Sequence, residues 1–442
     1  MKRPGTVAIC ATLLAALAAT TPQPTRAQGN AQAVNQTVEK IPNPAPDLRA
    51  QAQAALAKQD YKSAIDLLTK YVAEAPKDPI GHFQLGYAYT ALKQWTQAAD
   101  EYKQAIALDP KLAPAQMNLG LVLLRSDPAA AVEPLSQAAA LSPNEVRPQL
   151  LLAMALERSG QPAEAAAAYR AAVKIDPKNF DSHYELARIL LSLKQPADAE
   201  TEFRLALGLQ PKSPDALAGL SESLLEQNKT EAGTKELEAY LAVRPSDASA
   251  RVRLAGILAT AGHLDDAMAQ LAQVPDQGPE APAAWRLRGE ILLAQKNYAA
   301  AIDPLQKAAA ALPNDADLHA DLGQALLNEK KYEAAAKDLT RAVTLDPKRV
   351  RAWRDLVAAR DLTGQWAATL DALAHLEQLE PLVPISLFVR ASCYDHLGNL
   401  PEAIAAYQKF LAVDGGKLQT EEYQARHRLP VLEDLLRHQK KK

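Results

Sequence analysis

Along residues 45–417 small and large apolar residues recur with one fixed spacing. Proline marks the register, at 76, 110, 143, 177, 211, 245, 279, 313, 347 and 381, and every gap is 34 residues except one of 33. With that proline numbered 32 in each period, position 8 reads Ala52, Gly86, Gly120, Ala153, Ala187, Ser221, Ala255, Gly289, Gly323 and Ala391, and only Val357 departs. Position 20 is small in the same way, from Ala64 and Ala98 to Ala403, with Thr369 as the clear departure. Between these lie bulky residues: Tyr89, Leu123, Leu190 and Leu326 at position 11, and Tyr102, Tyr169, Phe203 and Tyr407 at position 24. Two antiparallel helices approach closely only where one presents a small side chain to the other's large one. Each period therefore predicts a helix hairpin, and their succession predicts a stack of like units rather than separate globular domains.

Punctuation supports the same elements. Two residues after five of the prolines come Asp78, Asn179, Ser213, Asp247 and Asp315, each able to accept a hydrogen bond from the free amides opening the next helix. The 33-residue gap is a shortened turn, in which Asp127-Pro128 supplies a cap and a first-turn proline. Pro134 and Pro304 fall at position 23, inside the second helix, where each removes a backbone hydrogen bond. The tenth period departs at Val357, Arg360 and Thr369 together, and the Pro-rich stretch 274–282 is expected to end its helix early and act as a hinge.

The period His82 to Pro110, with Leu85, Gly86, Tyr89, Trp95, Ala98, Tyr102 and Ala105, resembles the tetratricopeptide repeat. Eleven such units run from 45 to 417. The resemblance implies an all-α, right-handed superhelical solenoid of about eleven helix hairpins, here followed over 418–442 by a capping helix and a basic tail. It also implies that the first helix of each unit lines a concave groove for peptide segments of partner proteins, reached by positions 2, 5, 9, 12 and 13. Carried over, those positions give Ile80, Phe83, Tyr87, Met117, Leu121, Leu150, Met154, Tyr184 and Arg188 as an apolar stretch, and Arg286, Glu290, Arg351, Arg354 and Asp361 as a mixed-charge one richer in arginine. Methionine among aromatics suits adaptable binding of apolar side chains, while packing between neighbouring units competes as the use of the same residues. No three successive units carry the Lys and Asn set with which part of the family clamps a terminal carboxylate.

The first 27 residues read differently. Lys2 and Arg3 precede an apolar stretch over 7–20, and Thr25-Arg26-Ala27 offers small residues for cleavage, so residues 1–27 are expected to be a secretory signal peptide and 28–44 a flexible linker. The apolar stretch is shorter than the roughly 20 residues of a spanning helix. Removing Lys2, Arg3 and Arg26 leaves 46 basic and 52 acidic side chains, a mildly acidic exported chain, periplasmic or secreted, with no membrane span and no pull toward nucleic acid. Cys393 is then the lone cysteine, without a disulfide or a cysteine metal site.

No motif for catalysis, cofactor or metal survives inspection: there is no Gly-rich phosphate loop, no His-Glu-x-x-His and no Gly-x-Ser-x-Gly. His82, His183 and His319 all occupy position 4, where the repeat needs bulk, so packing is the expected use rather than ligation. The sequence thus points to a non-catalytic adaptor binding a protein or peptide in its groove, with a structural subunit of an envelope assembly, such as polysaccharide export, as the alternative. An enzyme would need a residue set that the repeats do not supply.

Overall fold

A computed structural model describes residues 46–439; the expected signal peptide and linker lie outside the described residues. All regular structure among them is helical, in two compact units that meet in sequence at Lys229 and Thr230.

The first unit contains α1 (Pro46–Ala57), α2 (Tyr61–Glu74), α3 (Pro79–Ala91), α4 (Trp95–Leu108), α5 (Ala113–Leu123), α6 (Pro128–Leu141), α7 (Val146–Arg158), α8 (Pro162–Ile175), α9 (Phe180–Ser192), α10 (Pro196–Leu209) and α11 (Pro214–Glu226). The second contains α12 (Thr230–Val243), α13 (Ala248–Thr260), α14 (Leu264–Leu271), α15 (Ala281–Ala294), α16 (Tyr298–Ala311), α17 (Ala316–Asn328), α18 (Tyr332–Leu345), α19 (Val350–Leu362), α20 (Trp366–Leu379), α21 (Pro384–His396), α22 (Leu400–Asp414) and α23 (Gln419–Gln439). Each helix packs on the one before and the one after within its unit, which is the tandem-hairpin arrangement of an all-α solenoid.

Local chemistry explains the helix limits. Asp78, Asp127, Asn179, Ser213, Asp247 and Asp315 each accept a hydrogen bond from a first-turn amide of the helix that follows. The turn between the two helices of a pair carries a left-handed residue at position 15: Gln59, Lys93, Gly160, Lys194, Asn228, Gly262, Lys296, Lys330, Gly364 and Gly398. That conformation lets the chain reverse while the last carbonyls of the first helix are satisfied, as when the Gln94 amide donates to Tyr89 at 2.9 Å. The third pair, one residue shorter, is closed by the Asp127 cap instead.

The small and large positions meet as their sizes require. A Cβ placed on Gly86 would lie 2.9 Å from the Tyr102 ring, and Gly120, Gly289 and Gly323 face Leu135, Leu305 and Leu339 in the same relation. Tyr102, Tyr169 and Phe203 at position 24 are almost fully buried. The helices α6 and α16 each continue for 14 residues with Pro134 and Pro304 inside them, both buried.

The tenth pair packs despite its departures. Val357 and Thr369 are buried, the Thr369 hydroxyl donates to the Gln365 carbonyl at 3.0 Å, and Arg360 donates to the Ala368 carbonyl at 3.0 Å. In the seventh pair α14 stops after eight residues. The segment after it is tied to α15: Trp285 Nε1 donates to Asp276 at 3.0 Å, Arg288 pairs with Asp276 at 3.2 Å and also donates to the Leu271 carbonyl, and Val274 is buried.

Candidate partner-binding surface

Within each unit the first helices of successive pairs touch, α3 with α5 and α5 with α7 in the first unit, and α15 with α17 and α17 with α19 in the second. This brings the residues at positions 2, 5, 6 and 9 of neighbouring repeats side by side.

In the first unit the apolar candidates divide into two groups. Met154 and Tyr184 are core, only 7% and 8% exposed, so they have no surface to offer a partner. The Tyr184 ring stacks on Phe180 at 5.8 Å and meets Phe203 edge-on at 6.1 Å, and burial pushes its phenol pKa up. Ile80 and Phe83 are half-buried against Ala105 and Ala115, with Phe83 6.0 Å from Tyr102. Leu150 is half-buried. Tyr87, Met117 and Leu121 are half-buried as well: Tyr87 meets Tyr61 edge-on at 6.3 Å, and Met117 and Leu121 pack on the cluster that holds Leu135 and Leu151.

The arginines expected to meet a partner are mostly engaged within the chain. Arg188 grips Glu157 with two nitrogens at 2.7 and 2.5 Å and Glu185 with its Nε at 2.7 Å. Arg286 pairs with Glu290 at 2.6 Å and Asp315 at 2.7 Å, and Arg354 forks onto Glu380 at 2.6 and 2.5 Å. These contacts, bidentate at Arg188 and Arg354, use up the planar donor array that carboxylate recognition needs. Arg351 is exposed and faces Asp321 and Asp355 electrostatically. On the second unit's face these arginines are thus met by carboxylates of the same chain.

Sequence reasoning named Glu290 on this face but passed over Asp321 and Asp355. Asp321 has its pKa raised to about 6 by burial, with Glu290 repelling its charge, and Asp355 is raised by burial against the pull of Arg351 and Arg354. Both occupy position 6, one helical turn before position 9, and that spacing was the available signal.

The histidines at position 4 serve packing through hydrogen bonds. His82 contacts Glu101 at 2.7 Å and the Pro76 carbonyl at 3.3 Å; His183 contacts Glu202 at 2.6 Å and the Pro177 carbonyl at 3.0 Å; His319 contacts Asp338 at 2.9 Å and the Pro313 carbonyl at 3.3 Å. Other residue types reach the same carbonyl, Gln116 donating to Pro110 at 3.4 Å, Arg251 to Pro245 at 2.7 Å and Trp353 to Pro347 at 2.9 Å. Position 4 thus closes the end of the preceding hairpin. Cys393 is fully buried and its thiol pKa is pushed up to about 12 by burial, which keeps it protonated. Among the described residues no three His, Cys, Asp or Glu side chains gather as a metal site, and no helix is long and apolar enough to cross a membrane.

Family models described as "Tetratricopeptide repeat" match residues 150–214, 363–416, 224–291 and 292–360, and one described as "TPR repeat" matches 86–127, together about two thirds of the chain. Among curated proteins, the heat-shock protein cognate (HSC) co-chaperone sgt12 of Aspergillus fumigatus is 34% identical over 102 residues, 22% of this chain and 30% of that protein. Protein O-mannosyl-transferase TMTC1 of Mus musculus is 26% identical over 144 residues, 32% of this chain and 15% of that protein. The chain thus spans under a third of the length of either. Among solved structures, a tetratricopeptide repeat protein from Parabacteroides merdae is 18% identical, with 56% of this chain and 98% of that one covered at a TM-score of 0.39.

Proposed function

Since the chain belongs to the tetratricopeptide repeat family, we propose that it is a non-catalytic adaptor whose first-helix surface holds a segment of a partner protein. The observation that carries this reading is the row Tyr87, Met117 and Leu121, apolar side chains left partly open on helices that lie against one another. A row of this kind takes the apolar side chains of an extended or helical peptide, and a flexible Met adjusts to their shape. The sgt12 likeness agrees with a role through protein contacts, while the transferase activity named for TMTC1 belongs to a protein of which the match covers 15%. We place the adaptor in the cell envelope or outside the cell on the strength of Lys2, Arg3 and the apolar stretch after them.

The test is a crosslinked pull-down from the native envelope with the wild type and with the Tyr87→Ala, Met117→Ala, Leu121→Ala variant. Met154 and Tyr184 are left intact because their truncation would open core cavities. A partner captured by the wild type and lost from an equally stable variant supports the reading. Identical partners from both place the binding surface elsewhere.

A further inference from the structure

The turn that follows α11 differs from its counterparts. At position 15 the other left-handed turns place Gln, Lys or Gly, and only here does asparagine stand, as Asn228 with a φ of 59°. Asparagine is among the few residues with a side chain that tolerate this conformation well. The residues around it are tied back onto the first unit: Glu226 accepts from Lys194 Nζ at 2.8 Å, Gln227 donates to the Pro196 carbonyl at 3.1 Å, and Lys229 Nζ donates to Glu200 at 2.8 Å. Asn228 is left at the tip, exposed, and among the described residues its side-chain amide has no hydrogen-bond partner. The Thr230 hydroxyl, at the start of α12, is exposed and unpartnered in the same way. Asn228-Lys229-Thr230 is an Asn-x-Thr triplet without proline at x, the acceptor for N-linked sugars. Glu226, two residues before the asparagine, completes the longer acidic form of the acceptor that bacterial oligosaccharyltransferases read. The chain's other such triplet, Asn35-Gln36-Thr37, has Ala33 in place of the acid and lies outside the described residues.

We propose that Asn228 carries an N-linked glycan, a modification that rests on the export proposed from residues 1–27. The donor is an oligosaccharide joined through its first carbon to a lipid diphosphate. Asn228 Nδ2 bonds to that carbon and gives up one proton, while the bond from the carbon to the diphosphate oxygen breaks and the lipid diphosphate leaves with the electron pair. Nothing is oxidised or reduced. Glu226 and Lys229 are engaged once the turn has closed, so transfer precedes folding of this segment. The fold then keeps the sugar in solvent, since Asn228 gives up no contact to carry it, and a bulky polar group is tolerated on such a surface. Position 15 is none of the groove positions, so the glycan occupies no residue proposed to hold a partner.

Mass spectrometry of the full chain, produced in and purified from its own host, reads both the amino terminus and the peptide that carries Asn228. The expected result for the wild type is a chain cleaved after Ala27 with a glycan mass on that peptide. Asn228→Gln and Thr230→Ala are expected to lose the added mass, and Thr230→Ser, which keeps the hydroxyl, to retain it. Gln59 holds the same left-handed conformation in the first hairpin, so Asn228→Gln is expected to leave the far-UV circular dichroism unchanged. A chain that keeps residues 1–27 overturns the export reading and the proposal together. A cleaved chain whose Asn228 is unmodified, or a glycan mass that persists in Asn228→Gln, overturns the proposal alone and leaves the export reading standing.

Discussion

His183 and Glu202, 19 residues apart, meet at 2.6 Å across the fifth hairpin while the other ring nitrogen of His183 lies 3.0 Å from the Pro177 carbonyl. One side chain thereby joins both helices of its own pair to the end of the pair before. Glu202→Ala is expected to destabilise the surrounding helices by about 1 to 3 kcal/mol, because a buried imidazole loses its carboxylate partner. The tenth pair shows a substitute: Trp353 reaches the Pro347 carbonyl with Ala372 at the place of the acid. His183→Trp combined with Glu202→Ala is therefore expected to recover most of the loss. Hydrogen exchange of α9 and α10, compared among the three proteins, measures the effect in the helices concerned.

The equivalent contact in the second pair has a pH signature. Glu101 holds the His82 pKa above its ordinary 6.5, chiefly through their hydrogen bond, with burial opposing. A group whose pKa is raised on folding stabilises the fold fully below its unfolded pKa and loses that contribution as pH rises through the folded value. The stability gap between wild type and His82→Gln, from urea denaturation at a series of pH values, is thus expected to be widest below 6.5 and to close on the alkaline side. A gap that widens with rising pH would contradict the assignment.

Glycine at position 8 is there for space. Gly86→Ala would press a methyl group to 2.9 Å from the Tyr102 ring, a cost of about 1 to 3 kcal/mol that outweighs alanine's better helix propensity of roughly 1 kcal/mol. Gly208, exposed near the end of α10, meets nothing within 4 Å. There the same substitution is expected to stabilise the protein, by up to about 1 kcal/mol. Melting temperatures that move in opposite directions for the two variants would bear this out.

Lys330 holds a φ of 60° in an exposed turn, a conformation that crowds any Cβ. Lys330→Gly relieves that crowding and is expected to raise stability by about 0.5 to 1 kcal/mol, read as a shift of the urea midpoint without change in slope.

Much of this architecture is legible from residues alone because its causes are local or strictly periodic. Asp78 and Asp315 cap helices whatever lies beyond them, and Gly86 faces Tyr102 because both recur in a fixed register. The left-handed Lys93 and Lys330 escaped notice because lysine carries no preference for that conformation, and only their shared place with Gly160 and Gly364 betrays it. The pairing of His82 with Glu101 was equally present as a repeated spacing of 19, hidden by reading the histidine as bulk. The arginines were unreadable in a stricter sense. Arg188 finds Glu157 across 31 residues and Arg286 finds Asp315 across 29, distances in sequence that only the stacking of one hairpin on the next converts into contact.

The position 4 contact has a direction. At six joints the proline carbonyl ending one hairpin is met by a side chain six residues downstream, at His82, Gln116, His183, Arg251, His319 and Trp353. Each such hairpin is completed by its successor, never by its predecessor. During synthesis, where the N-terminal part emerges first, the growing array therefore carries one unfinished end, always the newest, and every further hairpin to leave the ribosome seals the last and opens its own. Deleting hairpins from the N-terminal side leaves each remaining seal in place, whereas stopping the chain after Pro177 or Pro313 leaves a raw end that water must cover.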